Sequence, residues 1–300
     1  MTLSTEAIFD SSADLTPALG QDSTPRPARS RRAELVARKR AEFAALAPRY
    51  EAQIAAFTLG RVHELRRFVA SAAVGEAEGP VLELCCGTGG VTVELAQRFD
   101  EVLGVDLSPD MLARARKLIQ LREAANVKLI EGDVGTLVVR PRSLSAVVCS
   151  LGLHEMPRHM REGVLRRALG WLAPGGKLVI CDYAMPKNWI LARLMRWLGP
   201  VLIEEEFFFE YMAYPIADRL RAMGFEIERE SLISHVTTAR AQDPARWGNS
   251  RLSRFAWRVL EAVSRPLSCL CVVVARRPKD ENVPALMPPV SRYGRAPEPC

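Results

Sequence analysis

A few acidic residues, a glycine turn and one imidazole stand at the ends of apolar runs in this sequence, and their spacing limits the chemistry open to them. The run Val81-Leu-Glu-Leu84 is followed by Cys85-Cys86-Gly87-Thr88-Gly89-Gly90. Glycines at such a point let the backbone turn tightly and approach a ligand, and a helix start beyond them offers unpaired N–H groups. The next apolar run ends in Gly104-Val105-Asp106, about 20 residues on, where a carboxylate accepts hydrogen bonds from ribose hydroxyls. A plainer role for Asp106, capping the helix that starts near Pro109, falls better to Ser108. The combination points to a nucleoside-bearing ligand.

That ligand does not read as a dinucleotide. Aligning G-x-G-x-x-G on Gly87 and Gly89 puts Thr92 where a small third residue should pack against the strand. Glu83, inside the end of the first run, would repel a pyrophosphate but could bind an ammonium group, which points to a ligand with an amino-acid end. Asp133, in Ile130-Glu131-Gly132-Asp133-Val134, could accept a hydrogen bond from an adenine amino group, although taken by itself it reads better as an ordinary exposed turn aspartate. Ser150-Leu151-Gly152-Leu153-His154-Glu155 then sets an imidazole and a carboxylate at the same rim. His154, Glu155 and His159 have the wrong spacing for two imidazoles one helical turn apart, and Pro157 interrupts them, so no metal site is expected.

These groups need a scaffold, and the pattern around them supplies one. Strands are expected at 80–84, 101–105, 127–131, 145–150 and 177–182, with helices at 90–98, 109–121 and 158–171 between them. Apolar strands separated by amphipathic helices imply a parallel sheet covered on both faces, a doubly wound α/β domain. Helices at 33–47 and 51–73 precede it. The chain turns helical again over 188–224, followed by a strand at 225–232, an inserted helix at 241–265 and a last strand at 268–275.

Composition bounds the rest. The chain has 300 residues, 48% of them hydrophobic, and a net charge of +6. Residues 1–32, rich in Ser, Thr, Pro and Ala with several arginines, read as a disordered basic arm, and 278–300 as a disordered Pro-rich tail. No apolar run is long enough to span a membrane and no signal-peptide core opens the chain, so a cytoplasmic location is expected. The odd count of seven cysteines, without a C-x-x-C, disfavours a disulfide framework. The arm lacks aromatic platforms and known nucleic-acid motifs, so no nucleic-acid partner is expected. Oligomeric state is not written in the pattern.

In order and spacing, Glu83-Leu-Cys-Cys-Gly-Thr-Gly89, Gly104-Val-Asp-Leu-Ser-Pro-Asp-Met111, Glu131-Gly-Asp133 and Leu172-Ala-Pro-Gly-Gly-Lys-Leu178 resemble the class I S-adenosylmethionine-dependent methyltransferases. Leu46-Ala-Pro-Arg-Tyr50, Leu59-Gly-Arg61 and the Cys-Cys-Gly-Thr-Gly loop look most like the ubiquinone/menaquinone biosynthesis C-methyltransferases and their small-molecule relatives. The resemblance covers residues 43–183 well and 211–232 weakly. It implies a Rossmann-like, seven-stranded, mostly parallel sheet within a domain at 33–277, with an N-terminal helical cap at 33–75, a cofactor-binding core at 80–183 and a helical substrate lid at 188–224.

The resemblance also implies roles. Glu83 and the loop Cys85, Gly87, Thr88, Gly89 would hold the aminocarboxypropyl end of S-adenosylmethionine, Asp106 the ribose and Asp133 the adenine, with Tyr50 closing over the sulfonium. Leu107, Met111, Gly132, Val134 and Ser150 would complete the cofactor's surroundings. Cys85 replaces the glycine most frequent at its position. The quinone enzymes typically carry Arg-Asn where this chain has His154-Glu155, a departure that argues against a quinone substrate.

The expected reaction is methyl transfer to a small hydrophobic acceptor such as a quinol or phenol, at carbon or oxygen. His154, with an ordinary pKa of about 6.5, would serve as the base, with Glu155 orienting it or binding a cationic substrate. In the lid, Ile190, Leu194, Trp197 and Val201 share one helical face with Arg193 and Arg196 elsewhere, and Phe207, Phe208, Phe209, Tyr211 and Tyr214 add apolar lining. Peripheral contact of that lid with membrane lipid is one reading, and ordinary helix packing the plainer one. Two rival functions are a phospholipid or amine N-methyltransferase, with Glu204–Glu206 holding a cationic head group, and a non-catalytic S-adenosylmethionine-binding regulator.

Overall fold

The computed structural model describes residues 26–58, 60–202, 207–233 and 269–279. Most of the proposed arm and tail, the 241–265 helix and Glu204–Glu206 lie outside the described residues. Three helices come first, α1 (Arg26–Leu46), α2 (Tyr50–Phe57) and α3 (Val62–Ala73). The core then runs β1 (Val81–Leu84), α4 (Thr92–Leu95), β2 (Val102–Asp106), α5 (Pro109–Leu121), β3 (Val127–Glu131), β4 (Leu144–Ser150), α6 (Arg158–Trp171) and β5 (Leu172–Tyr183). Helices α7 (Trp189–Leu202), α8 (Phe208–Met212) and α9 (Ile216–Met223) and strands β6 (Glu226–Leu232) and β7 (Leu270–Arg276) complete it.

The seven strands form one sheet in the order β3-β2-β1-β4-β5-β7-β6. β3, β2, β1, β4 and β5 pair in parallel, and β7 runs antiparallel between β5 and β6. β1 and β4 are wholly or almost wholly buried, as expected for strands covered on both faces. Alternate side chains feed two cores. Leu82 and Leu84 face the layer of α6 and α9, while Val81 joins Val69, Ala73 and Leu95 on the side of α3 and α4. The chain order reverses between β1 and β4, and at such a switch point the carboxyl ends of the strands open a crevice.

Helices α5 and α6 and strand β3 span the residues that the pattern predicts. α5 starts where the chemistry requires: Ser108 is its N-cap, accepting from Met111 N, and Pro109 follows at the first position. Three expectations need correction. The single helix at 51–73 is two, because Gly60 takes a left-handed φ of +78° and Thr58 Oγ1 bonds back to Ile54 O at 2.7 Å. The helix at 90–98 shrinks to Thr92–Leu95. And α1 starts at Arg26, so residues 26–32, read as disordered, are helical; the reason lies in what α1 covers.

Candidate active site

The turn after β1 carries the first part of the site. Gly87 and Gly89 have φ of +53° and +80°, the left-handed region that glycine enters without steric cost, and a Cβ on Gly89 would stand 3.0 Å from that of Ala115. Cys85 adopts the same region at φ +55°, a strain on the order of 1 kcal/mol for a residue with a side chain. That conformation explains why glycine suits the position. Neither Cys85 nor Cys86 is a reactive thiol here, since both are driven well above the ordinary cysteine pKa. For Cys85 the leading cause is its hydrogen bond with Cys149, joined by burial; for Cys86 it is burial.

Two connected spaces lie over this turn. The smaller, about 30 Å³, is lined by Tyr50, Glu83, Cys85, Thr88, Arg66 and Ser150 among others. The larger, about 260 Å³, runs from Gly87, Asp106 and Asp133 to His154, Glu155 and the apolar face of α1. Tyr50 and Cys85 line both. Leu107, Met111, Gly132 and Val134 line the larger. Of the catalytic and cofactor residues expected from sequence, only Gly89 lines neither, and it acts through the turn it permits; Phe207, Phe208, Phe209, Tyr211 and Tyr214, expected as apolar lining, line neither space.

Acidic groups dominate the end beside the turn. Glu83 is 2% exposed, and burial pushes its carboxyl up to about 8 against the opposing effects of Thr92, whose hydroxyl donates at 2.5 Å, and Arg66. Asp106 accepts from Gly87 N at 2.7 Å and Ser108 N at 2.9 Å, and burial outweighs these bonds to raise its pKa. Asp133 accepts from Gly135 N and holds the guanidinium of Arg32 at 2.7 Å. Buried carboxylates at this spacing fit a ligand rich in ammonium, hydroxyl and amino donors, and do not fit a pyrophosphate. Burial also raises the Tyr50 phenol, so its ring meets the cavity as a neutral group. Thr88 donates to Glu51, which Arg66 grips with both terminal nitrogens, tying α2 and α3 to the turn.

The other end is built around His154, in a short 3-10 turn (Leu153–Glu155) beyond β4. Its Nδ1 lies 2.7 Å from Asp182 Oδ1, and Asp182 Oδ2 also accepts from Leu153 N and His154 N. On the far side Nε2 is 3.5 Å from Glu155 Oε1, and the other oxygen of Glu155 is 2.7 Å from Lys39 Nζ. Burial disfavours the imidazolium, but the charge and hydrogen bond of Asp182, joined by Glu155, outweigh it and carry His154 to about 10. Glu155 moves the opposite way, to about 2, because contacts with His154 and Lys39 overcome its burial. The imidazole expected to titrate near neutrality is therefore a cation at pH 7.

Asp182, Lys39 and Arg32 escaped the sequence reading. Asp182 had a signal, a lone carboxylate closing the apolar run Leu178-Val-Ile-Cys181 at another strand's carboxyl end. Lys39 and Arg32 had none, because their partners Glu155 and Asp133 lie about a hundred residues away in the chain. α1 lays Leu35, Val36 and Phe43 over the larger cavity while Arg32, Lys39 and Arg40 pair with Asp133, Glu155 and Glu131.

Arg161 holds the His154 turn from below. It is fully buried and donates to Leu153 O at 3.1 Å, Met156 O at 2.8 Å and Glu210, beneath the rings of Tyr211 and Tyr214. Arg161→Met leaves two buried carbonyls without that donor, and a loss of about 3 kcal/mol is expected. Denaturant unfolding of the variant measures it, and a loss under about 1 kcal/mol would show that the turn holds without the guanidinium.

Among the described residues no group of three or more His, Cys, Asp or Glu side chains could hold a metal ion. Residues 81–176 match a sequence family described as a methyltransferase domain. The demethylmenaquinone methyltransferase of Thermus thermophilus is 27% identical over 220 residues, 67% of this chain and 99% of that protein. An uncharacterised methyltransferase of Synechocystis sp. is 32% identical over 153 residues, 51% of this chain and 69% of that protein. Among solved structures the [4+2]-cyclase SpnF shares the fold, with a TM-score of 0.51 and 20% identity over 72% of this chain and 80% of that one.

Proposed function

Since the chain belongs to the S-adenosylmethionine-dependent methyltransferases, we propose that it methylates a small apolar acceptor bearing an ionisable hydroxyl, such as a phenol or quinol. The observation that carries this reading is the shared cavity. Its lining joins the acidic residues and turn at Gly87, Asp106 and Met111 to apolar side chains such as Val36, Phe43 and Met160 and to His154. Apolar lining with one oriented polar group is what a small ring system needs for binding and alignment.

S-adenosylmethionine, when bound, supplies a methyl group attached to a sulfonium leaving centre. Glu83 and the Cys85–Gly89 turn would hold its amino-acid end, and Asp106 and Asp133 its nucleoside, with Arg32 yielding the Asp133 carboxylate. The chain's task is then to align the acceptor, exclude water and keep the acceptor oxygen ionised. His154 suits that last role as a cation. His154 lines the cavity beside Glu155, and an imidazolium there favours the phenolate over the phenol. Asp182 acts through His154 as a positioning residue, fixing the ring and sustaining its charge. Glu155 is drawn towards Lys39, at 2.7 Å against 3.5 Å to the imidazole, which leaves His154 the looser of its two partners.

The similarity to demethylmenaquinone methyltransferases favours hydroxylated bicyclic rings within this class, whereas His154-Glu155 favours an acceptor that binds as an anion. Release of S-adenosylhomocysteine from the full-length protein, measured with naphthols, simple phenols, quinols and ethanolamine derivatives, tests the proposal. Turnover is expected with the hydroxylated rings. Turnover confined to the amines would sink it in favour of N-methylation, and tight cofactor binding with no turnover on any acceptor would favour a regulatory binding protein.

A further inference from the structure

We propose that the outward face of α7 docks on an anionic lipid surface. Trp189, Ile190, Leu194 and Trp197 are 72, 59, 47 and 75% exposed. At 100° per residue they and the exposed Arg193 fall within one arc of about 140°. Arg193 thus stands inside the apolar face, between the two tryptophans, and not apart from it as the sequence pattern suggests. The opposite side is where α7 meets the protein: Ala192 is buried, and Met195 Sδ lies 3.8 Å from Cys269 Sγ. The exposed arc is therefore not a core face left open by a rotated helix.

Its chemistry selects the occupant. Single exposed apolar side chains are ordinary, but two tryptophans with two aliphatics on one helical arc mark an interaction surface. α7 contains no acidic residue, and the exposed Lys187 stands just ahead of it. Indole rings beside basic groups belong at the level of lipid headgroups, where the rings enter the interface and the cations meet anionic phosphates. A second copy of the chain fits less well, because a two-fold contact through this face sets Arg193 near its own symmetry mate. No described helix is long and apolar enough to cross a bilayer, so the contact is one of lying on the surface. The location gives docking a use: β5 carries Asp182 and Tyr183 beside His154 and leads within six residues to Trp189.

Co-sedimentation of the full-length protein with phosphatidylcholine vesicles, with and without a phosphatidylglycerol fraction, tests the inference without reference to turnover. Binding is expected to the anionic vesicles and to fall with salt. Trp189→Ala/Trp197→Ala and Arg193→Glu should each weaken it more than about tenfold, with circular dichroism and cofactor binding unchanged. Absence of binding to anionic vesicles overturns the proposal. So does undiminished binding of the double variant, which would assign the contact to other basic segments. A concentration-dependent dimer that the double variant dissolves, seen by analytical ultracentrifugation without vesicle binding, would make a second copy the occupant.

Discussion

Asp182→Asn is expected to keep cofactor binding but to reduce kcat on a phenolic acceptor by about two orders of magnitude at pH 9, with a much smaller loss near pH 6. The sign follows from the charge of His154. Its pKa in the folded protein is about 10, raised over the opposing effect of burial by the charge and hydrogen bond of Asp182. Above its unfolded value of about 6.5 the imidazole is thus still charged; its stabilisation, full below that value, declines as pH rises and is gone above about 10, where the cation itself is lost. Wild-type turnover should fall at that alkaline limit. Without the Asp182 carboxylate the limit should move towards neutrality, because only Glu155 remains to sustain the charge.

A general base gives the opposite slope, with turnover rising as pH climbs towards the imidazole pKa. A wild-type profile that still rises above pH 9, with acceptor ionisation controlled for, would therefore return His154 to the role expected from sequence. Asp182 also accepts from Leu153 N and Tyr183 N, so the asparagine variant could lose structure. His154→Gln, which leaves the Asp182 bonds to the backbone in place, gives a second route, with a comparable loss of kcat and no alkaline limit near 10.

The second large effect concerns Glu83. Its carboxyl is held up to about 8 by burial, so the ligand-free protein carries it mostly protonated at pH 7. An ammonium group arriving beside it favours the carboxylate, and cofactor binding should then release up to about one proton near pH 7. Calorimetry in buffers of different ionisation enthalpy reads that proton directly. Glu83→Gln should abolish the release and weaken binding by roughly tenfold to a hundredfold, the worth of one charge-assisted hydrogen bond. Unchanged affinity and proton release in the variant would move the amino-acid end elsewhere.

Stability has a matching signature. A carboxyl whose pKa is raised in the folded state adds least above that value, so the ligand-free protein should lose stability between about pH 4.5 and pH 8 as buried Glu83 ionises. The Gln variant should show a flatter profile across that window.

Much of this molecule is local and was legible for that reason. The central parallel strands declare themselves by their apolar runs, α5 by Ser108 and Pro109 at its start, and the turn after β1 by the glycines at 87 and 89, whose positive φ the turn requires. Glu83 and Asp106 stand out because a carboxylate in or at the end of a buried strand needs a reason. Helix α1 was misread over residues 26–32, since its apolar residues keep no steady period and its charges look solvated until their partners are known.

What the sequence determined by itself was the sheet, the turn and the acidic residues beside it, because propensity, capping and strand burial act between near neighbours. The tertiary structure decided the electrostatics of the acceptor end. His154 meets Asp182 across 28 residues of chain, and Lys39 reaches Glu155 across 116. A pKa is set by all the charges and the solvent exclusion around a group, whichever segments supply them. Only the folded chain could therefore turn a histidine expected to be a neutral base into a buried cation.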